Sequence, residues 1–165
     1  MSPTQATFPS SSHDHHACVR SAMRDAEHYC GEQGLHLTPI RRRVLELIWQ
    51  SHCPSGAYGL LEQLAADGRK PSPPTVYRAL DFLLGNGLIH RVSSRNAFVG
   101  CTRPGEEHRA QIFICDRCGI AIEQSDPTLD LRISHRAQDL HFQIRELTVE
   151  VAGVCPQCNG ATDEA

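Results

Sequence analysis

The 165-residue sequence is poor in aromatic residues, which make up 5% of it, with a single tryptophan and two methionines. Its core must therefore be built from aliphatic side chains. The opening, MSPTQATFPSSSHDHH, contains no apolar signal-like segment, and no run approaches the length of a membrane span. These absences predict a cytosolic protein. The formal net charge is −3, so nothing global advertises a polyanionic partner, and local charge must be read instead. No G-x-S-x-G, H-E-x-x-H or phosphate-loop pattern occurs, which leaves no recognisable enzyme signature.

Cysteine, by contrast, is plentiful, with eight residues. In the cytosol such a set argues against a disulfide framework, and paired C-x-x-C spacing favours metal. Hydrophobic residues are 40% and charged residues 21%, a globular balance. The length suits one domain or two small lobes, and small lobes often need a metal or a second copy to complete a thin core.

Residues 1–16 read as a disordered tail in which His13, His15 and His16 offer a weak metal cluster. A helix is predicted over about 16–31, with Val19, Ala22, Met23, Ala26 and Cys30 at helical spacing. The next begins at Thr38 as N-cap and Pro39 as first helical residue, with Ile40, Val44, Leu45 and Ile48 inward. Arg41, Arg42 and Arg43 crowd its first turns, where cations oppose the helix dipole, which fits an anionic partner or, equally, a plain solvated face. A third helix carries Leu60, Leu61 and Leu64 inward. In the fourth, Pro73 is expected at the cap and Pro74 at the first helical position, with Val76, Leu80, Leu83 and Leu84 buried. The period then changes to two: LIHRV and AFVGC are strands joined by the turn-like SSRN.

Short helices followed by a two-stranded hairpin form the pattern of a winged helix-turn-helix. Residues 36–100 hold eight arginines and lysines against four acids, a local charge of +4 that suits phosphate contact. The predicted fold is α+β. A winged-helix domain over 17–101 is joined by a hinge at 102–110 to a small zinc-containing dimerisation domain at 111–158, with a disordered end at 159–165. The second lobe reads β-β-α-β: QIFIC, IAIEQ, a helix over about 127–140 and FQIRELTVEVAG. An edge so apolar favours pairing with a second copy.

Cys115, Cys118, Cys155 and Cys158 make two C-x-x-C knuckles separated by 36 residues. Four thiolates satisfy tetrahedral zinc with no open position, which is a structural arrangement. A thioredoxin-like redox pair is the competing reading, and two knuckles without a βαβ unit speak against it. His90, Cys101, His108 and Glu123 remain as a second donor set of two nitrogens, one sulfur and one oxygen. They come from the wing, the hinge and the second lobe, so a metal there would fix one lobe against the other. The plainer alternative is a surface histidine and a small buried cysteine. Cys18, Cys30 and Cys53 read as helix or loop residues.

LTPIRRRVLELI, PSPPTVYRALDFLLGNGLIHRV, FICDRCG and GVCPQC together resemble the Fur family of metal-dependent repressors, and within it the zinc-sensing Zur branch. The resemblance covers about residues 20–158. It implies structural zinc on Cys115, Cys118, Cys155 and Cys158, and regulatory zinc on His90, Cys101, His108 and Glu123. It also implies that Tyr58 and Arg78 match DNA-contacting positions. Iron-sensing relatives carry a His-rich string before the first knuckle, where this sequence has His108 alone. A histidine common in the last strand of relatives is replaced by Glu146.

The expected function is a zinc-responsive repressor of zinc uptake genes that binds a palindromic operator as a zinc-loaded homodimer. Arg78, Tyr58, Thr75 and Tyr77 would face the DNA, and Arg41, Arg42, Arg43 and Arg95 would contact phosphate. Two zinc ions per protomer are implied. The alternatives are a Fur-type regulator sensing iron, manganese or peroxide, a protein-only adaptor and, most remotely, a zinc hydrolase.

Overall fold

The computed structural model describes residues 8–9, 14–145 and 147–160. Most of the two expected tails, with His13 and Glu146, lies outside the described residues.

The first helix, α1 (His15–Glu32), begins earlier than the sequence pattern suggests. The Asp14 carboxylate accepts the Ala17 N–H at 3.1 Å and caps the helix, drawing His15 and His16 out of the expected tail. Met23, Ala26 and Cys30 face inward. Thr38 caps α2 (Pro39–Trp49), with its side chain accepting from Arg41 N–H. Next come α3 (Ala57–Ala66) and α4 (Pro73–Gly85). The cap of α4 is Ser72 rather than Pro73. Ser72 precedes a proline and is thereby held extended, while the fixed φ of Pro73 suits the first helical turn. The wing follows as the antiparallel pair β1 (Ile89–Val92) and β2 (Ala97–Gly100). Its turn closes through Asn96 in left-handed geometry, φ 46°, which asparagine tolerates better than most residues.

Leu45, Ile48, Leu60, Leu64, Leu80, Leu83 and Leu88 are nearly inaccessible and form the core of this helical half. As expected from composition, it is aliphatic.

The second lobe is a three-stranded sheet in the order β4-β3-β5. β3 (Gln111–Cys115) pairs antiparallel with β4 (Ala121–Gln124) and parallel with β5 (Val149–Gly153). The crossover carries α5 (Pro127–Asp139). β5 is shorter than the apolar run from Phe142 suggests, because β3 offers only five residues to pair with, from Gln111↔Val149 to Cys115↔Gly153. A short helix, α6 (Pro156–Gly160), takes in the end of the second knuckle and two residues expected in the tail. Ile112 and Ile114 are buried, and they pack with Val92 and Val99 of the wing. The thin core of the second lobe is thus completed by the first. No helix among the described residues is long and apolar enough to cross a membrane.

Candidate metal centres and nucleic-acid interface

The two knuckles meet at one end of the second sheet. Donor atoms of Cys115, Cys118, Cys155 and Cys158 all lie within 4.8 Å of one another. Cys118 Sγ is 3.8 Å from Cys155 Sγ. Zinc–sulfur bonds of about 2.3 Å in a tetrahedron require a sulfur–sulfur edge of about 3.8 Å. Gly119 closes the first knuckle with φ +77°, a conformation that favours glycine. Backbone N–H groups turn inward, and Cys155 donates to Cys115 Sγ at 3.3 Å. The amides of Cys118 and then Cys155 draw the Cys115 thiol down to about 6. Cys158 is pushed up to about 12, first by its hydrogen bond with Cys155 and then by burial. Thiols this close compete for ionisation, and a cation is what would let all four be thiolates.

The second set assembles across the lobe boundary. His90 is in β1, Cys101 directly follows β2, His108 is in the connecting segment and Glu123 is in β4. Their donor atoms also lie within 4.8 Å of one another. Glu123 Oε1 is 2.6 Å from His108 Nε2 and 3.1 Å from His90 Nε2. Cys101 Sγ is 3.5 Å from His108 Nε2. The β4 register puts Glu123 opposite Ile112, inside the molecule. It is a buried carboxylate with only 7% of its surface exposed. Burial alone would raise its pKa. The His90 hydrogen bond and charge, with the Thr102 N–H and hydroxyl, outweigh that and hold it at about 2. Cys101 moves the other way, pushed up to about 12 by burial first and by the Glu123 charge second. Two imidazoles, a thiol and a carboxylate form a donor set that fits zinc. The buried thiol would ionise only against a cation.

Two contributors escaped sequence reasoning. Thr102 donates its N–H and its hydroxyl to Glu123 Oε2 at 2.7 and 2.8 Å. This fixes the carboxylate so that Oε1 points at the histidines. The Glu150 carboxylate, on β5, accepts the N–H groups of Ser93 and Ser94 in the wing turn at 2.6 and 3.1 Å. Adjacency to Cys101 was the one available hint for Thr102, and nothing local marks Glu150.

The expected nucleic-acid residues divide into two classes. Tyr58 is 76% exposed, Tyr77 45%, and Arg78, next to Tyr77 in sequence, is exposed. Thr75 is half-buried, with its hydroxyl 2.9 Å from that of Ser72 at the start of α4. The four other arginines have partners within the chain. Arg41 donates to the His36 carbonyl at 2.7 Å and lies over the Phe82 ring. Arg42 pairs with Glu27 at 2.7 Å. Arg43 bridges Asp67 and Glu46 at 2.6 and 2.8 Å. Arg95 pairs with Asp116 of the second lobe at 2.6 Å. The charge that opposed the α2 dipole is therefore answered largely by the protein's own carboxylates.

Residues 32–152 match the profile of the Ferric uptake regulator family. The chain belongs to that family. As a Ferric uptake regulator family member it is 36% identical over 141 residues to the zinc uptake regulation protein of Escherichia coli (strain K12), covering 85% of this chain and 82% of that one. Among solved structures it is similar to a zinc uptake regulator complexed with zinc and DNA, with TM-score 0.81, 35% identity and coverage of 86% of this chain and 95% of that one. It is also similar to holo XcZur, with TM-score 0.79, 44% identity and coverage of 86% and 99%. Against the apo form of XcZur the TM-score falls to 0.52 at 43% identity and coverage of 87% and 99%. Taken over the whole chain, the fold is thus closer to the holo than to the apo form of that relative.

Proposed function

We propose that this chain is a zinc-responsive repressor that binds operator DNA as a dimer and controls zinc uptake genes. The observation that carries the reading is the convergence of His90, Cys101, His108 and Glu123 from the wing, the connecting segment and the second lobe within 4.8 Å. In this reading Cys115, Cys118, Cys155 and Cys158 hold a structural zinc and the second quartet holds a regulatory one, giving two ions per protomer. Zinc in the second set would supply four coordinate bonds that tie wing and hinge to β4. Similarity to a zinc uptake regulator complexed with zinc and DNA supports both metal and operator as partners.

The chain's own groups do the rest. Thr102 holds the Glu123 carboxylate in place, and the imidazoles lie within hydrogen-bond distance of its inner oxygen. Val92 against Ile112 and Ile114 provides an apolar seam on which the lobes close. A closed dimer sets the spacing of its two α4 helices to match two half-sites of a palindrome. Tyr58, Thr75, Tyr77 and Arg78 would face the groove, with Arg78 reading a purine edge. Arg41, Arg42, Arg43 and Arg95 could reach phosphate only by exchanging an internal partner for it. The apolar surface of Leu131, Leu140, Phe142, Val151 and Val154 is exposed in one copy and suits the contact with a second. Allosteric couplings are typically about 1–3 kcal/mol, roughly 5- to 150-fold changes in affinity, enough for a switch. The protein would work in the cytoplasm, where its operator is.

Four protein donors leave no open position for a substrate or an activated water, so the reading is not an enzyme. The thiol of Cys101 favours zinc over iron or manganese. The test is operator binding by Cys101→Ser across a zinc titration. The expected result is a folded dimer with no zinc-dependent binding, and a wild-type zinc midpoint would overturn the regulatory assignment.

A further inference from the structure

Residues 102–107 join Cys101 to His108, so the path of this segment decides how two donors of the second quartet meet. The segment lies along α1, where residues 102–106 share one cleft with His28, Tyr29 and Glu32. At Gly105 the approach is close. Its φ is +85°, and a Cβ there would fall 2.7 Å from Tyr29 Cδ2 and 2.8 Å from Cε2. Glycine meets both demands, a left-handed backbone and a ring against the chain. Tyr29 is half-buried and packs on the core of the helical half, so the ring has little room to retreat. Its hydroxyl makes no hydrogen bond among the described residues, so the contact is one of shape.

The next residue connects this contact to a ligand. The Glu106 carbonyl accepts a hydrogen bond from His108 Nδ1 at 2.8 Å. Because a carbonyl can only accept, the proton is on Nδ1, and Nε2 is the nitrogen that faces Glu123 Oε1, at 2.6 Å. A backbone partner of this kind fixes which ring nitrogen is offered to a metal and how the ring is turned. We propose that Tyr29 is a positioning residue for the second quartet. Its ring, set against Gly105, holds the connecting segment so that the Glu106 carbonyl presents His108 with Nε2 toward the metal. The assignment rests on the zinc reading of that quartet.

His108 is then aimed from α1, an element that supplies no ligand to the quartet. α1 is tied to α2 by the Arg42–Glu27 pair at 2.7 Å, and both share the aliphatic core with α4. Occupancy of the quartet therefore reaches the helical half by two routes, the wing through His90 and α1 through Tyr29. By linkage, whatever seats α1 against the segment also tightens metal binding. A tyrosine that only filled the core would instead contribute to folding stability and leave the metal affinity of the folded protein unchanged.

The experiment is the zinc affinity of the second quartet, measured by chelator competition on the full reduced chain. It compares wild type with Tyr29→Phe, Tyr29→Ala, Gly105→Ala and the double variant of the two alanines. Tyr29→Phe keeps the ring and should bind as wild type does. Tyr29→Ala and Gly105→Ala should each weaken the second equivalent by about 10-fold and leave the knuckle equivalent alone. The double variant should be no weaker than the weaker single, because the added methyl then enters space the ring has left. With cobalt as probe, the ligand-field bands of the second equivalent should shift in both singles and return in Tyr29→Phe. Wild-type affinity and bands in Gly105→Ala, at an exposed position outside the helical core, would overturn the proposal. So would a Tyr29→Ala that loses stability but not zinc affinity, or a Tyr29→Phe as weak as Tyr29→Ala. A wild type with no second equivalent would remove the zinc reading as well, and that outcome is seen before any variant is made.

Discussion

Thr102 donates to Glu123 twice, through its N–H at 2.7 Å and its hydroxyl at 2.8 Å, both to the oxygen facing away from the histidines. A carboxylate restrained on one oxygen presents the other in a fixed direction, which is how groups behind a ligand tune a metal site. Thr102→Val keeps the shape and the backbone donor but removes the hydroxyl. The zinc midpoint for operator binding should rise by about 10- to 100-fold. The melting temperature of the metal-free protein should change little. An unchanged midpoint would mean that the backbone N–H alone orients Glu123.

Glu150 makes a separate prediction about pH. Burial raises its carboxyl, but the Ser94 hydroxyl and the N–H groups of Ser94 and Ser93 outweigh burial and leave it lowered in the folded state. A lowered folded value means that the latch contributes fully above the ordinary carboxyl range. That contribution fades as pH falls through the folded value, where the carboxylate is protonated. In the wild type minus Glu150→Gln difference, stability should therefore shrink on acidification and be flat near neutrality. A difference that grows on acidification would contradict the latch.

The one tryptophan gives an optical handle. A Cβ added at Gly100 would run into the Trp49 indole, and Gly100 immediately precedes Cys101. Gly100→Ala should destabilise the fold by about 1–3 kcal/mol, as overpacking usually does. In wild type, Trp49 emission should shift as zinc fills the second quartet and stay constant in Cys101→Ser. Emission that follows only the first, tightest equivalent would assign the change to the cysteine knuckles instead.

Arg78 and Arg42 should behave differently on DNA. Arg78 is exposed on α4 with no hydrogen-bond or ion-pair partner among the described residues, whereas Arg42 is held by Glu27. Arg78→Ala should cost about 1–3 kcal/mol of operator affinity and relax sequence preference. Arg42→Ala should cost less and affect all sequences alike. Equal losses of specificity from both would show that Arg42 leaves Glu27 on binding.

The helical half was legible because its signals are local. Thr38 and Pro39 mark the start of α2, and the period-two runs after Gly87 mark the wing. The cysteine quartet stood out through its paired C-x-x-C spacing, whereas spacing left His90, Cys101, His108 and Glu123 open and only the resemblance to the zinc-sensing branch singled them out. What stayed hidden depends on contacts across the fold. Arg43 finds Glu46 one turn on, but the carboxylates of Glu27 on α1 and Asp67 after α3, which answer Arg42 and Arg43, are too far along the chain for any short window to pair. Glu150 reaches a turn 57 positions away. At α4 the deciding signal was local after all: Ser72, the residue before the first proline, is the one held extended and so is the cap.

The buried contact of Val92 with Ile112 and Ile114 has a consequence for modularity. By residue number the connecting segment divides the chain, but in packing the seam runs through shared apolar surface. Severing the chain there would leave bare isoleucines on one fragment and an uncovered valine on the other. A graft that moves the second lobe onto another helical domain must therefore carry the matching wing face with it.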